Sequence, residues 1–272
     1  MKNKKLKKIL FTLIAVAVGL FLVLLAALQI YLKADARKTG EAPGNALQYS
    51  LENVQSVTNS PLSGKRFLFL GSSVTDGSAA QGCSFADYLG KTDGVIVTKE
   101  AASSTTLVDE FSIVPFLAGG DGNSYVTRLK KVDTNTVFDA VVVQLSTNDA
   151  TSGKSLGEIC ATSDPEDFDT KTITGAMEFI IWYAQETWNC PVIFYTGSYF
   201  ESQPYDVMVD RLLELQSKWD IGIIDLYNDE AFNGIDAQQY ALYMYDEKHP
   251  TKAGYLEWWL PAIQAYLYDY LG

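Results

Sequence analysis

Twenty-four consecutive residues, Ile9 to Leu32, carry no charge, and Lys2, Lys4, Lys5, Lys7 and Lys8 stand just before them. A run this apolar has to be withdrawn from water, so the rest of the chain must build its fold without it. As a helix it extends roughly 36 Å, enough to cross a hydrocarbon core of about 30 Å with some tilt. A secretory signal is the rival reading, because Ala34-Asp35-Ala36 has a small-x-small cleavage pattern. The apolar region of such a signal, however, normally holds only about 7–15 residues. The lysines before the run favour a cytoplasmic N-terminus and an outward-facing remainder. In either reading the remainder leaves the cytoplasm.

That remainder is acidic. The first 38 residues contain eight of the 21 lysines and arginines but one of the 33 acids, and the whole chain has a net charge of −12. Phosphate backbones need a basic footprint, so nucleic acid is not an expected partner. Cys83, Cys160 and Cys190 form no C-x-x-C pair, which removes zinc ribbons and thioredoxin-type motifs. Three cysteines allow at most one internal disulfide, and the spacing assigns none. His249 is the single histidine, so a histidine-rich metal site is excluded.

The expected organisation is a basic tail over 1–8, a transmembrane anchor over 9–32, a linker or stalk over 33–61 and one domain over 62–272. Gly40, Pro43, Gly44, Asn59, Pro61 and Gly64 punctuate the linker, with room for a short helix over 46–57. From Lys65 on, short apolar runs alternate with amphipathic segments. Strands are expected over 66–70, 94–98, 140–145, 191–196 and 221–226, and helices over 84–89, 124–131, 172–188, 205–219 and 252–270. Alternation at this spacing makes βαβ units. The expected fold class is α/β: a three-layer α/β/α sandwich on a central parallel sheet of about five strands.

Open α/β sheets bind their ligands beyond the carboxyl ends of the strands. In Phe67 to Gly77, FLFLGSSVTDG, an apolar strand ends in a glycine-bounded turn carrying Ser72 and Ser73. Such a turn is either a plain strand-ending loop or the seat of a nucleophile. A serine nucleophile needs a base, and His249 is the only imidazole available. Asp246 stands three residues before it, close enough to bond Nδ1–H and leave Nε2 free to take a proton. A surface histidine beside a helix start, with Pro250 early in that helix, is the plainer alternative. Asn148, in Ser146-Thr147-Asn148-Asp149, follows the third apolar run. It can donate an amide N–H to a developing oxyanion or act as an ordinary turn former. The small residues around Ser104, after the second run, allow a backbone N–H to approach closely.

Taken in order, these blocks resemble the SGNH (GDSL-like) hydrolase family. Gly71-Ser72-Ser73 through Gly77 matches its first block, with Ser72 where an aspartate is usual. Ser146-Thr147-Asn148-Asp149 matches the third, with Ser146 where a glycine is usual. Asp246 and His249 match the fifth. The resemblance spans about Leu62 to the C-terminus. It implies the flavodoxin-like fold of that family, Ser73, Asp246 and His249 as a catalytic triad, and an oxyanion hole from Ser73, Ser104 and Asn148. It implies no cofactor or metal. Ser104 stands where the family has glycine, and a positive φ there would strain a serine.

Ser155 offers a second nucleophile in Gly153-Lys154-Ser155-Leu156-Gly157, but the G-x-S-x-G elbow must follow a strand directly, and polar loop precedes it here. No P-loop, no HExxH and no strand-following GxGxxG occurs. Acids such as Asp164, Glu166, Asp167 and Asp169 read as solvated loop. The resemblance implies an ester substrate, and outward placement favours a carbohydrate or cell-surface O-acetyl ester; Tyr195, Tyr199, Trp258 and Trp259 are either a sugar platform or, as the plainer reading for each, packed core. A lipase-type esterase, an O-acetyltransferase and an inactive surface-binding module are the alternatives.

Overall fold

A computed structural model of the protein describes residues 2–272. One helix, α1, occupies Lys2–Glu41, so the helix continues without a break from the apolar run through the charged residues that follow it. Three short 3₁₀ turns follow, and then the sheet. Its strands are β1 (Arg66–Gly71), β2 (Ile96–Ala101), β3 (Ala140–Gln144), β4 (Val192–Tyr195) and β5 (Gly222–Ile224). All pair in parallel, in the order β2-β1-β3-β4-β5. The chain is therefore an α/β protein with a five-stranded parallel sheet. The strand order reverses at β1, where a doubly wound sheet opens a crevice at the carboxyl ends.

Helices α2 (Ser73–Asp76), α3 (Phe85–Asp93), α4 (Ile113–Leu117), α5 (Tyr125–Leu129), α6 (Thr147–Thr151), α7 (Ile173–Trp188), α8 (Gln203–Gln216), α9 (Glu230–Asn233), α10 (Ala237–Tyr243) and α11 (Leu260–Leu271) complete the fold, with a π-helical stretch Gly254–Trp259 leading into α11. Strand alternation divides the core. Leu68, Leu70, Val141, Val143, Val192 and Phe194 face α5, α7 and α8. Phe67, Phe69, Val142, Ile193 and Tyr195 face α3, the π-helical stretch and α11. Both faces of the sheet are covered, which is why its strands read as unbroken apolar runs rather than alternating ones.

One expectation changes. Residues 33–61 are not an extended stalk. Helix α1 runs on to Glu41, and Thr39, Asn45, Tyr49 and Ser50 are buried against the domain. The Asn45 amide donates to the carbonyls of Thr39 and Ala79 at 2.7 Å each, and its oxygen accepts the Lys252 N–H at 2.9 Å. Glycine and proline punctuation suits packed 3₁₀ turns as well as a free linker. Three of the four aromatics take the plainer packing role. Tyr195 and Trp259 are wholly buried, Trp258 stacks on Phe232 in the core, and only Tyr199 is exposed. All three cysteines are free thiols.

Candidate active site

The carboxyl end of β1 is shaped by what has to fit beside it. A Cβ on Gly71 would lie 1.6 Å from Thr75 Oγ1, so only glycine lets α2 fold back on the strand. Gly77 closes α2 at φ +79, where a Cβ would meet the Cys83 backbone. Between them the chain turns sharply, and Ser73 becomes the first helical residue.

The turn is fixed from β3 by Gln144, which is 2% exposed. Its Oε1 accepts from the Ser72 N–H at 2.9 Å, the Thr75 N–H at 3.2 Å and Thr75 Oγ1 at 2.8 Å, and its Nε2 donates to Ser72 Oγ at 3.2 Å. Tyr255 donates to the Val74 carbonyl at 2.7 Å, and Tyr195 OH lies 2.6 Å from Thr75 Oγ1. Ser73 Oγ is left unclaimed by this network and faces His249.

His249 arrives from the other end of the chain. Met244 and Pro250 form an antiparallel bridge, and the Tyr245 N–H donates to the His249 carbonyl at 2.9 Å. The intervening residues loop over the site. Ser73 Oγ lies 2.8 Å from His249 Nε2, and His249 Nδ1 lies 2.8 Å from both Asp246 oxygens. An ionised carboxylate only accepts, so Nδ1 carries the proton and the Nε2 lone pair points at Ser73. Asp246 Oδ1 also accepts the Lys248 and His249 amides at 2.9 Å each. Partial burial works against the charge on Asp246, but the hydrogen bonds from His249 and these amides outweigh it and hold its carboxyl below the ordinary value. A hydroxyl bonded to an imidazole whose far nitrogen is held by a carboxylate is arranged to give up its proton during attack.

The loop after β2 supplies Ser104, whose φ is +62. The structure thus puts a serine in the left-handed region that glycine favours. Three side chains strap this loop in place. Asn148 Nδ2 donates to the Thr105 carbonyl at 2.8 Å, leaving its second amide N–H unspent. Asp149, fully buried, accepts the Leu107 and Val108 amides at 2.8 and 3.1 Å. Burial pushes the Asp149 carboxyl up to about 6, with those two amides pulling the other way. Arg128, 2% exposed, donates to the Glu100 carbonyl, to the Gly71 carbonyl at 2.7 Å and to Thr105 Oγ1 at 3.0 Å. It ties the ends of β1 and β2 together. Ser104 and Asn148 line one cavity of about 350 Å³ with Phe111, Ile113 and Val114.

The structure thus brings Ser73, Asp246 and His249 into one hydrogen-bonded chain, and places Ser104 and Asn148 on a common cavity. Ser155 stands apart. It is exposed in the loop after α6, not after a strand, and its carbonyl accepts the Ile173 N–H. Among the described residues no three His, Cys, Asp or Glu side chains are grouped to hold a metal ion. Sequence reasoning missed Gln144 and Arg128. The one available signal was a polar residue ending an otherwise apolar strand, Gln144 after Ala140–Val143.

No family model matches the sequence, and no curated protein matches it. Solved structures do. A protein from Lactobacillus plantarum superposes with a TM-score of 0.60 at 19% identity, over 76% of this chain and 98% of its own. A candidate GDSL-like lipase from Bacteroides ovatus gives 0.56 at 15% identity, over 75% and 98%. A possible lipase from Chitinophaga pinensis gives 0.53 at 13%, over 75% and 98%. At these identities the likeness is one of fold: the chain shares the α/β fold of these GDSL-like structures.

Proposed function

We propose that this chain is a serine ester hydrolase, with Ser73 as nucleophile, His249 as general base and Asp246 as its orienting carboxylate. The observation that carries this reading is the unbroken chain from Ser73 Oγ through both His249 nitrogens to Asp246, each link 2.8 Å. As Ser73 Oγ attacks the ester carbonyl, its proton passes to His249 Nε2. The backbone N–H groups of Ser73 and Ser104 and the spare Asn148 amide N–H stabilise the oxyanion. The imidazolium then protonates the departing alcohol, and water, activated by the same imidazole, hydrolyses the acyl-serine.

Residues 62–272 are the catalytic domain in this reading, and α1 anchors it outside the cytoplasm with the N-terminus inside. The domain's hold on α1 supports an anchor over a cleaved signal. Tyr245 OH donates to Asp35 Oδ1 at 3.1 Å and Thr39 is buried, so cleavage after Ala36 would cut the helix in the middle of its docked turns.

The test is hydrolysis of p-nitrophenyl acetate by the full chain and by two single variants. Ser73→Ala should remove turnover, and Ser155→Ala should leave it intact. The opposite pattern, or no turnover by the folded wild-type protein, would overturn the reading.

A further inference from the structure

The candidate site lies beside the end of α1 that would leave the bilayer. From Lys4 to Glu41, only Leu25, Leu28, Leu32, Asp35 and Thr39 are partly or wholly buried. Their spacing of three and four residues places them on one helix face, the face toward the domain. Three of the five lie inside the apolar run. The domain therefore contacts the last two turns of the hydrophobic stretch as well as the turns beyond it, where Asp35 and Thr39 are held.

A cavity of about 470 Å³ runs between those turns and the site. Leu28, Leu32, Val114 and Ala118 line its apolar part, and Ser104 and Asp76 lie on the side of the candidate site. Ser104, Val114 and Pro115 are shared with the cavity that contains Asn148. The same segment carries the densest group of exposed apolar side chains outside α1. Phe111, Ile113, Val114 and Phe116 are each more than half exposed within six residues, and Phe111 packs edge-on against Phe116. Exposed apolar residues elsewhere in the domain stand singly along the chain. A contiguous patch of this kind marks an interaction surface.

Its position selects the partner. An apolar span of 24 residues exceeds a hydrocarbon core of about 30 Å, so Leu28 to Leu32 sit at the interface between acyl chains and headgroups. Side chains lining a cavity with them sit at the same depth. We propose that the segment Phe111–Leu117 lies in the outer face of the bilayer beside α1, and that the ester this site takes is borne by a membrane amphiphile whose acyl chain reaches Ser73 from the bilayer side. Asp76 and Asp121 rim the larger cavity, Glu110 in the other is paired with Lys154, and the domain is acidic, so the amphiphile is uncharged or zwitterionic. This substrate class rests on the esterase reading; the docking of the segment does not.

Full-length protein in phosphatidylcholine vesicles separates the two. Phe116 lines neither cavity, so Phe116→Asp should leave hydrolysis of water-soluble p-nitrophenyl acetate at the wild-type rate. The same change should lower hydrolysis of p-nitrophenyl palmitate dissolved in the bilayer at least tenfold. Equal rates on the palmitate ester for wild type and variant would overturn the proposal, as would preference for a soluble acetylated oligosaccharide over the bilayer-borne ester. A second measurement needs no turnover. In Phe116→Trp, the added indole fluorescence, taken as the difference from wild type, should be quenched by brominated phosphatidylcholine. An unquenched indole would overturn the docking even if every ester is hydrolysed. Failure on all esters with the indole quenched would overturn the substrate class together with the esterase reading and leave the docking standing.

Discussion

The ends of β1 and β2 lie side by side and are held in different ways. After β1, a glycine removes the steric obstacle and a single buried glutamine satisfies the turn, so Ser73 is presented by a turn whose amides are paired. After β2, the backbone of Ser104 is bent into a conformation its side chain disfavours, and the loop is kept there by Asn148, Asp149 and Arg128 from other elements. Both ends are held by side chains from other elements, but the first relies on glycine where space is short and the second keeps a serine at positive φ. A nucleophile needs one fixed direction for its oxygen. In the proposed mechanism an oxyanion donor needs only its N–H in place, and serine has that N–H as glycine does.

If this contrast is right, the largest effect comes from loosening the first end. Gln144→Leu removes the acceptor of two buried amides and the partner of Ser72. Each buried donor left unpaired costs about 1–3 kcal/mol. The variant should lose about 3 kcal/mol in urea unfolding and most of its esterase activity. Full activity with wild-type stability would show that the turn holds itself.

The second end should respond to pH. The folded state holds the Asp149 proton more tightly than the unfolded chain does, with a value of about 6 against 3.8. Its favourable contribution to stability is therefore complete below pH 3.8 and is lost as pH rises to about 6. Measured against Asp149→Asn, wild-type stability should fall by about 3 kcal/mol across that window and stay level above it. A constant difference from pH 4 to 7 would contradict the burial account.

The smallest effect should come from relieving the strain. Ser104→Gly suits φ +62, and thermal unfolding should show a gain of up to about 1 kcal/mol with turnover retained. A loss of turnover would mean that the Ser104 hydroxyl, and not its N–H, serves the site.

The same contrast marks what was legible in the sequence. The strands were, because burial on both faces writes each as a short apolar run. Ser73 with Asp246 and His249 was also within reach, since a lone histidine limits the pairings that a nucleophile can form. Gln144 and Arg128 were not, because their partners lie up to 72 and 57 residues away and only the folded sheet brings them together. The packing of 33–61 was hidden for a different reason. Its buried anchors, Thr39 and Asn45, are polar, and polar residues in a glycine-punctuated segment read as solvent-facing.

The central claim is that Ser73 is the residue acylated. The most direct measurement treats the full-length protein with a fluorophosphonate and maps the adduct by peptide mass spectrometry. A single adduct on Ser73, absent when His249 is replaced by alanine, is the predicted result. An adduct on Ser155, or labelling of Ser73 that does not depend on His249, would contradict it.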